Sequence, residues 1–289
     1  MSRIGVVGIG HMGLPMALRL LEAGHEVAVR DIDAARVAQA AAAGARGVDA
    51  PAALRERELV IVAVVDGAQT LEVLFGADGL AAALPAGATV MLCPTIAPAD
   101  VEACASGLAE RGIGCIDAPM SGGPQRARDG TMSLIVACAD ALFVRWQPLL
   151  ATLASRLLRV GGRAGDGARS KLVNNLLAAV NLAGAAEALA LAGRLGLDAA
   201  TTLSVIEASS GQSWIGSDRL RRALAGDTTP RARMSLLAKD SRLALDAAHA
   251  AGAVLPVGEA AAAQFAAALA AGLAGADDSV LWRWLADRA

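Results

Sequence analysis

The 289-residue chain has no tyrosine, and only 2% of its residues are aromatic. Its apolar excess, 55% of all residues, is mostly alanine and leucine, which points to Ala-rich helix packing. An excess of basic charge is also missing. The formal net charge is −2, and no basic stripe of the kind that marks a nucleic-acid binder is present, so no nucleic-acid partner is expected. Histidine is scarce at three residues, and the four cysteines, Cys93, Cys104, Cys115 and Cys138, form no C-x-x-C pair. Neither a metal site nor a disulfide framework is expected; buried thiols in a reducing compartment are. Long unbroken apolar runs are absent too. Asn181 and Glu187 interrupt one stretch, and Pro256, Glu259 and Gln264 another, whereas a membrane span needs roughly 20 consecutive apolar residues. No transmembrane helix and no membrane partner are therefore expected. The opening "MSRIGVVGIG" sets an arginine before an apolar run, as a signal peptide does. That run is short, broken by glycine and followed by no clean small-residue cleavage site, so it reads as a first β-strand. A cytoplasmic location is the default expectation.

The chain is long enough for one large domain or two modest ones. Residues 1–161 alternate short apolar runs with helical ones. "RIGVVGI", "EVAVRD", "LVIVAVV", "ATVMLCP", "CIDAP", "SLIVAC" and "RLLRVG" are the strand candidates, and several are continuously apolar, as strands of a parallel sheet covered on both faces are. "MGLPMALRLLEAG" and "DAARVAQAAAAG" lie between them as helices, ended by Gly24 and Gly44, with Asp33 as the N-cap of the second. From residue 162 to 289 the strand signals stop and only helical pattern remains. The expected fold is an α/β, Rossmann-type doubly wound sheet followed by an all-helical C-terminal domain.

"VVGIGHMG" places Gly8, Gly10 and Gly13 in G-x-G-x-x-G spacing between the first strand and the first helix. The first glycine permits a tight turn, the second lets a pyrophosphate approach the backbone, and the third lets helix and strand pack closely. His11 and Met12 lie in the same loop and count with the cofactor contacts. Asp31 ends the second strand, where a carboxylate accepts ribose hydroxyls and repels a 2′-phosphate; NAD is expected, with NADP not excluded because Arg30 adjoins it. Ligands of such folds sit at strand C-termini, which brings in the loop Val64–Gly67, with Val65, and the loop Cys93–Pro98, with Thr95.

"DAPMSGGPQRARDG" offers Ser121, Gly122 and Gly123, a hydroxyl and successive backbone N–H groups suited to a carboxylate, with a plain glycine turn as the alternative. Further on, "GDGARSKLVNNLLAAVNLAG" is apolar nearly all round, yet as a helix it stacks Lys171, Asn174, Asn175 and Ala178 on one face. A buried lysine requires a partner, from the protein or from a substrate. Burial also favours the neutral amine, which exchanges protons with an alcohol or alkoxide near neutral pH. The alternative is a snorkelling lysine beside capping asparagines, but adjacent asparagines in mid-helix have poor propensity.

Together these segments resemble the β-hydroxyacid dehydrogenase family. The resemblance rests on "GVVGIGHMGLPMALRLLEAGHEV", "DAPMSGG" with Ala127, Arg128 and Gly130, "GDGARSKLVNN", and "LLAKDSRLALD" near the end, and it spans almost the whole chain. "SSGQSW" followed by Ser217 and Asp218 is most like the 3-hydroxyisobutyrate dehydrogenase subgroup. The resemblance implies a Rossmann domain joined by a long helix to a helical domain that builds a homodimer or homotetramer. It implies that Lys171 is catalytic, that Asn175 helps hold substrate with Asn174 supporting it, and that Ser121, Gly122 and Gly123 bind the substrate carboxylate. Lys239 is implied on the cofactor side, with Asp240 supporting it. The implied activity is NAD-dependent interconversion of a small 3-hydroxy acid and its semialdehyde or 3-oxo acid. 3-Hydroxyisobutyrate comes first, with tartronate semialdehyde (as a reductase), L-threonate and 3-hydroxypropionate as alternatives. Imine reduction is disfavoured because Lys171 is present, and a non-enzymatic NAD-binding scaffold because Lys171, Asn175 and the glycine pair are intact. Departures from the family are Val65-Asp66, where Leu-Pro is common, and Pro124-Gln125-Arg126 after the glycine pair. Arg126 and Arg128 are candidates to engage a second acidic group on a larger substrate, against a reading as surface charge. Trp214 is a candidate to line the substrate pocket, against a reading as core packing that tryptophan's usual burial favours.

Overall fold

The computed structural model describes residues 1–288, which divide into two compact units meeting within one helix, after Lys171. The first unit is built on nine strands: β1 (Arg3–Val7), β2 (Glu26–Arg30), β3 (Arg46–Gly47), β4 (Leu59–Val62), β5 (Thr89–Leu92), β6 (Gly114–Asp117), β7 (Met120–Ser121), β8 (Met132–Ala137) and β9 (Ala154–Gly161). They form a single sheet in the order β3-β2-β1-β4-β5-β6-β8-β7, with β9 on β8. Six strands, β3 to β6 through the centre, run parallel; β8 is antiparallel to β6 and β7, and parallel to β9. The helices of this unit are α1 (Gly13–Glu22), α2 (Ala34–Ala42), α3 (Gly67–Phe75), α4 (Leu80–Ala83), α5 (Pro98–Ala109), α6 (Gly123–Asp129) and α7 (Asp140–Leu153).

The central strands are apolar without alternation because both faces are covered, whereas β3 and most of β9 are exposed. Ile4, Val6, Leu59, Ile61 and Met91 point into one layer with Met16 and Leu20 of α1 and Trp146 and Leu150 of α7. Val7, Val60, Val62, Val90 and Leu92 point into the other, with Leu74 of α3 and Val101, Cys104 and Leu108 of α5. Full burial of such a side chain contributes roughly 1.5–3 kcal/mol, so each face holds its own helices. Asp33 caps α2 by accepting the Ala35 N–H, and Gly24 and Gly44 have φ of +82° and +104°, as their positions after helices require.

Helix α8 (Asp166–Arg194) starts in the first unit and leads into the second, which continues with α9 (Ala199–Glu207), α10 (Trp214–Leu224), α11 (Met234–Ala250), α12 (Pro256–Ala270) and α13 (Leu281–Ala286). By length and composition α8 is long and apolar enough to cross a membrane, contrary to the expectation that polar residues interrupt every such run. One side of it packs in the helical unit, where Ala179, Leu182, Ala183 and Ala186 meet Met234 and Phe265, and Leu189 meets Leu203 and Leu220; Val173, Leu177 and Leu191 stay exposed. The helical unit is fastened at its end by Asp277, fully buried, which accepts the N–H groups of Arg231 and Ser279 and a guanidinium bond from Arg222.

Two elements escape the sequence pattern. β3 and β7 have two residues each, too few to show a period. β7 matters here, because it pairs Ser121 with Ser133 of β8 and so fixes the residue that precedes the glycine pair.

Candidate active site

β1 lies between β2 and β4, the point where the strand order reverses, and its C-terminal end carries the glycine loop. Gly8 has φ +85°, and a Cβ there would stand 2.8 Å from the Ala63 carbonyl. A Cβ on Gly13 would lie 1.9 Å from the Gly8 carbonyl oxygen. Gly10 differs: its nearest neighbour is Arg36 Nη1 at 3.4 Å. Two glycines are therefore needed for packing and the middle one leaves the backbone open. α1 begins with no side-chain cap, so its first N–H groups are available to an anion. This cradle fits the pyrophosphate of a dinucleotide. His11 is exposed and Met12 packs half-buried against the core beneath the loop.

Asp31 is buried at the end of β2, and its two carboxylate oxygens accept the N–H groups of Ile9 (2.8 Å) and Asp33 (2.9 Å). These bonds hold the carboxylate beside the glycine loop. Carboxylate oxygens have further lone pairs for ribose hydroxyls. Arg36 Nη1 stands 3.9 Å from Asp31 and its Nε 3.4 Å from Asp33. Arg36 is the basic residue nearest this carboxylate, and the sequence reading passed over it in favour of Arg30.

In the loop after β4, Val65 is exposed. Asp66 caps α3 by accepting the Gln69 N–H at 2.9 Å, while Gln69 Oε1 accepts the Val65 N–H at 3.1 Å. The acidic departure at this position is thus a helix cap. Thr95 is half-buried in the loop between β5 and α5.

Beyond β7, Gly122 and Gly123 have φ of +131° and +77°, so both need glycine. Of the two arginines that follow, Arg128 forms a two-pronged ion pair with Glu22 of α1, which makes it surface charge. Arg126 instead runs along Gly122: a Cβ on that glycine would meet Arg126 Cδ at 2.9 Å.

Lys171 is buried, one turn inside α8. The start of this helix is fixed by Asp117, the last residue of β6. Its Oδ2 accepts the N–H groups of Gly165 (2.8 Å) and Ala168 (3.0 Å), and Gly167 adds a third backbone bond. Gly167 must be glycine because a Cβ would stand 2.9 Å from that carboxylate, and Gly165 turns the chain with φ +96°. The "GDG" at the start of the helix is thereby explained. Burial pushes the Asp117 carboxyl up to about 6, against the opposing pull of the three N–H donors. Asp117 thus joins two segments: the strand that leads on to Ser121–Gly123 and the helix turn that carries Lys171. Sequence reasoning missed it, having counted it only as part of a strand.

Within the helical unit, Asn174 Nδ2 donates to Asn175 Oδ1 (3.0 Å), Asn175 Nδ2 donates to Asp240 Oδ2 (2.6 Å), and Lys239 Nζ lies 2.8 Å from Asp240 Oδ1. The adjacent asparagines belong to a network that ties α8 to α11 around one buried carboxylate. Lys239 also lines an open groove of about 500 Å³ between α11 and α12. Trp214 is exposed at the first position of α10, not in the core; its neighbour Ile215 is the residue buried there. Cys93, Cys104 and Cys138 are buried free thiols and Cys115 is half-buried. Among the described residues no group of three or more His, Cys, Asp or Glu is arranged to hold a metal.

A largely parallel sheet with a glycine loop at its switch point, followed by a helical unit, is the architecture of the dinucleotide-binding dehydrogenases. Residues 3–162 match the NAD binding domain of 6-phosphogluconate dehydrogenase, and residues 165–285 match the NAD-binding domain of NADP-dependent 3-hydroxyisobutyrate dehydrogenase. The L-threonate dehydrogenase of Cupriavidus necator is 39% identical over 97% of this chain and 95% of its own length. The 3-hydroxyisobutyrate dehydrogenase of Pseudomonas aeruginosa is 38% identical over 74% of this chain and 72% of its own. The crystal structure of a 3-hydroxyisobutyrate dehydrogenase from Salmonella typhimurium superposes with a TM-score of 0.90 at 33% identity, covering 98% of this chain and all of that one. The chain belongs to the β-hydroxyacid dehydrogenase family. It is an NAD(P)-dependent enzyme acting on the CH–OH group of a small hydroxy acid.

Proposed function

We propose that Lys171 is the acid–base residue of this dehydrogenase, that Ser121, Gly122 and Gly123 hold the substrate carboxylate, and that Asn175 assists in holding the substrate. The observation that carries the reading is the buried Lys171 on a helix turn anchored by Asp117, the residue from which the chain runs on to the glycine pair. In oxidation the neutral amine of Lys171 takes the hydroxyl proton as the carbinol carbon gives up its hydride, and in reduction the ammonium returns a proton to the carbonyl oxygen. The bound nicotinamide supplies the hydride acceptor or donor. Asn174 and Asp240 support Asn175 and Lys239, and Lys239 serves the cofactor side.

Among substrates, L-threonate and 3-hydroxyisobutyrate are the first two to consider, and the higher identity to a threonate enzyme over the full chain favours the former. Carbonyl product and NADH should form one for one from at least one of these acids. Failure of both to yield either product would remove the substrate assignment.

We also propose NAD as the preferred cofactor, bound by Gly8, Gly10, His11, Met12, Gly13, Asp31, Val65 and Thr95. The support is Asp31, held beside the glycine loop by the N–H groups of Ile9 and Asp33. Asp31→Ala should narrow the NAD preference about tenfold or more, the scale of a lost charged hydrogen bond. It also removes one of the two carboxylates beside Arg36, which weakens the repulsion a 2′-phosphate would meet there. An unaltered ratio of kcat/KM for NAD and NADP would show that Asp31 does not read the ribose.

A homodimer or homotetramer is the proposed assembly. Its support is an apolar stripe of Val173, Leu177 and Leu191 exposed along α8, at the spacing of one helix face, with exposed Leu195 directly after it.

A further inference from the structure

Which hydroxy acid the enzyme prefers is decided by what meets the part of the substrate beyond its carboxylate. We propose that Arg126 is the specificity-determining residue: its guanidinium engages an oxygen acceptor that the substrate carries in addition to the carboxylate and the reacting carbinol. This rests on the reading of Ser121–Gly123 as the carboxylate site.

Three observations carry it. First, Arg126 lies against that site: a Cβ on Gly122 would meet Arg126 Cδ at 2.9 Å and Cβ at 3.2 Å, so the side chain occupies the space that the missing Gly122 side chain leaves. Second, the neighbouring polar side chains have other duties. Arg128 is paired with Glu22, and Gln125 Nε2 bonds to both oxygens of Asp129 at 3.0 Å. Third, Arg126 is an exposed residue although its stem follows the loop, so it stands at the solvent side from which a small molecule enters.

A guanidinium at this place discriminates between acids by chemistry. 3-Hydroxyisobutyrate carries a methyl group beyond its carboxylate and carbinol, and a methyl accepts no hydrogen bond. A polyhydroxy acid such as L-threonate, or a hydroxy diacid, places an oxygen there. A site built to hydrogen-bond a substrate oxygen rejects the analogue that lacks it far better than an apolar pocket rejects an added hydroxyl. The selected class is therefore oxygen-rich hydroxy acids.

The test measures kcat/KM for L-threonate, 3-hydroxyglutarate and 3-hydroxyisobutyrate with wild type, Arg126→Ala and Arg126→Lys, together with calorimetric affinity of the NAD-loaded proteins for each acid. In Arg126→Ala the ratio of kcat/KM for the oxygen-rich acid to that for 3-hydroxyisobutyrate should fall by about tenfold or more, with Arg126→Lys in between. A fall confined to L-threonate identifies hydroxyl groups as the partner; one confined to 3-hydroxyglutarate identifies a second carboxylate. Unchanged ratios in both variants overturn the proposal. Calorimetry separates it from the dehydrogenase reading. If no acid is turned over, yet oxygen-rich acids bind wild type and lose affinity in Arg126→Ala, the activity assignment fails and the role of Arg126 stands.

Discussion

Lys171→Ala is expected to lower kcat by about 100-fold or more, the usual size of a lost acid–base group, while NAD affinity stays within about twofold. Lys171 is buried in a helix turn, whereas the glycine loop and Asp31 that form the cradle belong to other elements of the same unit, so the deletion should reach the chemistry without reaching the cofactor. Lys171→Arg distinguishes proton transfer from mere positive charge. Arginine keeps the charge but does not give up its proton, so this variant should be nearly as slow as the alanine one. Wild-type oxidation should rise with pH as the amine becomes available, and the residual rate of both variants should not follow that rise. Turnover that survives either substitution would remove Lys171 from the mechanism.

Asp117→Ala is the second large effect. It removes the acceptor for three backbone N–H groups at the buried start of α8, each of which carries a desolvation cost of about 1–3 kcal/mol when left unpaired. Lys171 lies one turn further on, and a misplacement of about 1 Å costs a reaction on the order of 100-fold. Both stability and kcat should fall, with NAD affinity little changed. The stability loss carries a pH signature. Burial raises the Asp117 carboxyl in the folded protein to about 6 from an ordinary 3.8, so between these values the folded state binds more protons than the unfolded one. The contribution of Asp117 to stability is then complete below about pH 4 and diminishes as pH rises through about 6. The gap between wild type and Asp117→Ala should accordingly be widest in acid and narrow by about 3 kcal/mol towards neutrality. Chemical denaturation of both proteins at pH 4, 5, 6 and 7 measures it; a gap that widens with pH would contradict the assignment.

The parts legible in the sequence are those fixed by local pattern. β1, β2, β4, β5 and β8 show as apolar runs because both faces of the sheet are buried there, whereas β9 is mostly exposed, and the glycine loop shows because Gly8 and Gly13 meet short-range steric demands. Lys171 and the asparagines show because a helix stacks residues three and four apart. What stayed hidden depends on pairing across the chain. Asp117 reaches Gly165 over a separation of 48 residues, and nothing in "CIDAP" marks its carboxylate as a helix anchor. In retrospect the signal was Gly167, a glycine inside the first turn of a helix with no turn to make. Asp66 looked like a change to the cofactor loop and is a cap whose partner, Gln69, stands three residues on; that one was readable. Trp214 was assigned to the core from the usual burial of tryptophan, but it is the first residue of a helix whose inward face is formed by Ile215, Leu220 and Ala223. The paired asparagines were read as a substrate-facing stripe. They are also structural, since Asn175 is bonded to Asp240 on a distant helix.

The most direct test of the central claim is the initial rate of NAD reduction by the purified protein at alkaline pH, with L-threonate and (S)-3-hydroxyisobutyrate as separate substrates. The account predicts turnover of at least one of them with KM at or below about a millimolar, the ordinary enzyme range, and L-threonate as the better of the two. Bound NAD with no reduction by either acid would contradict it, leaving the fold and the cofactor cradle without the chemistry assigned to Lys171.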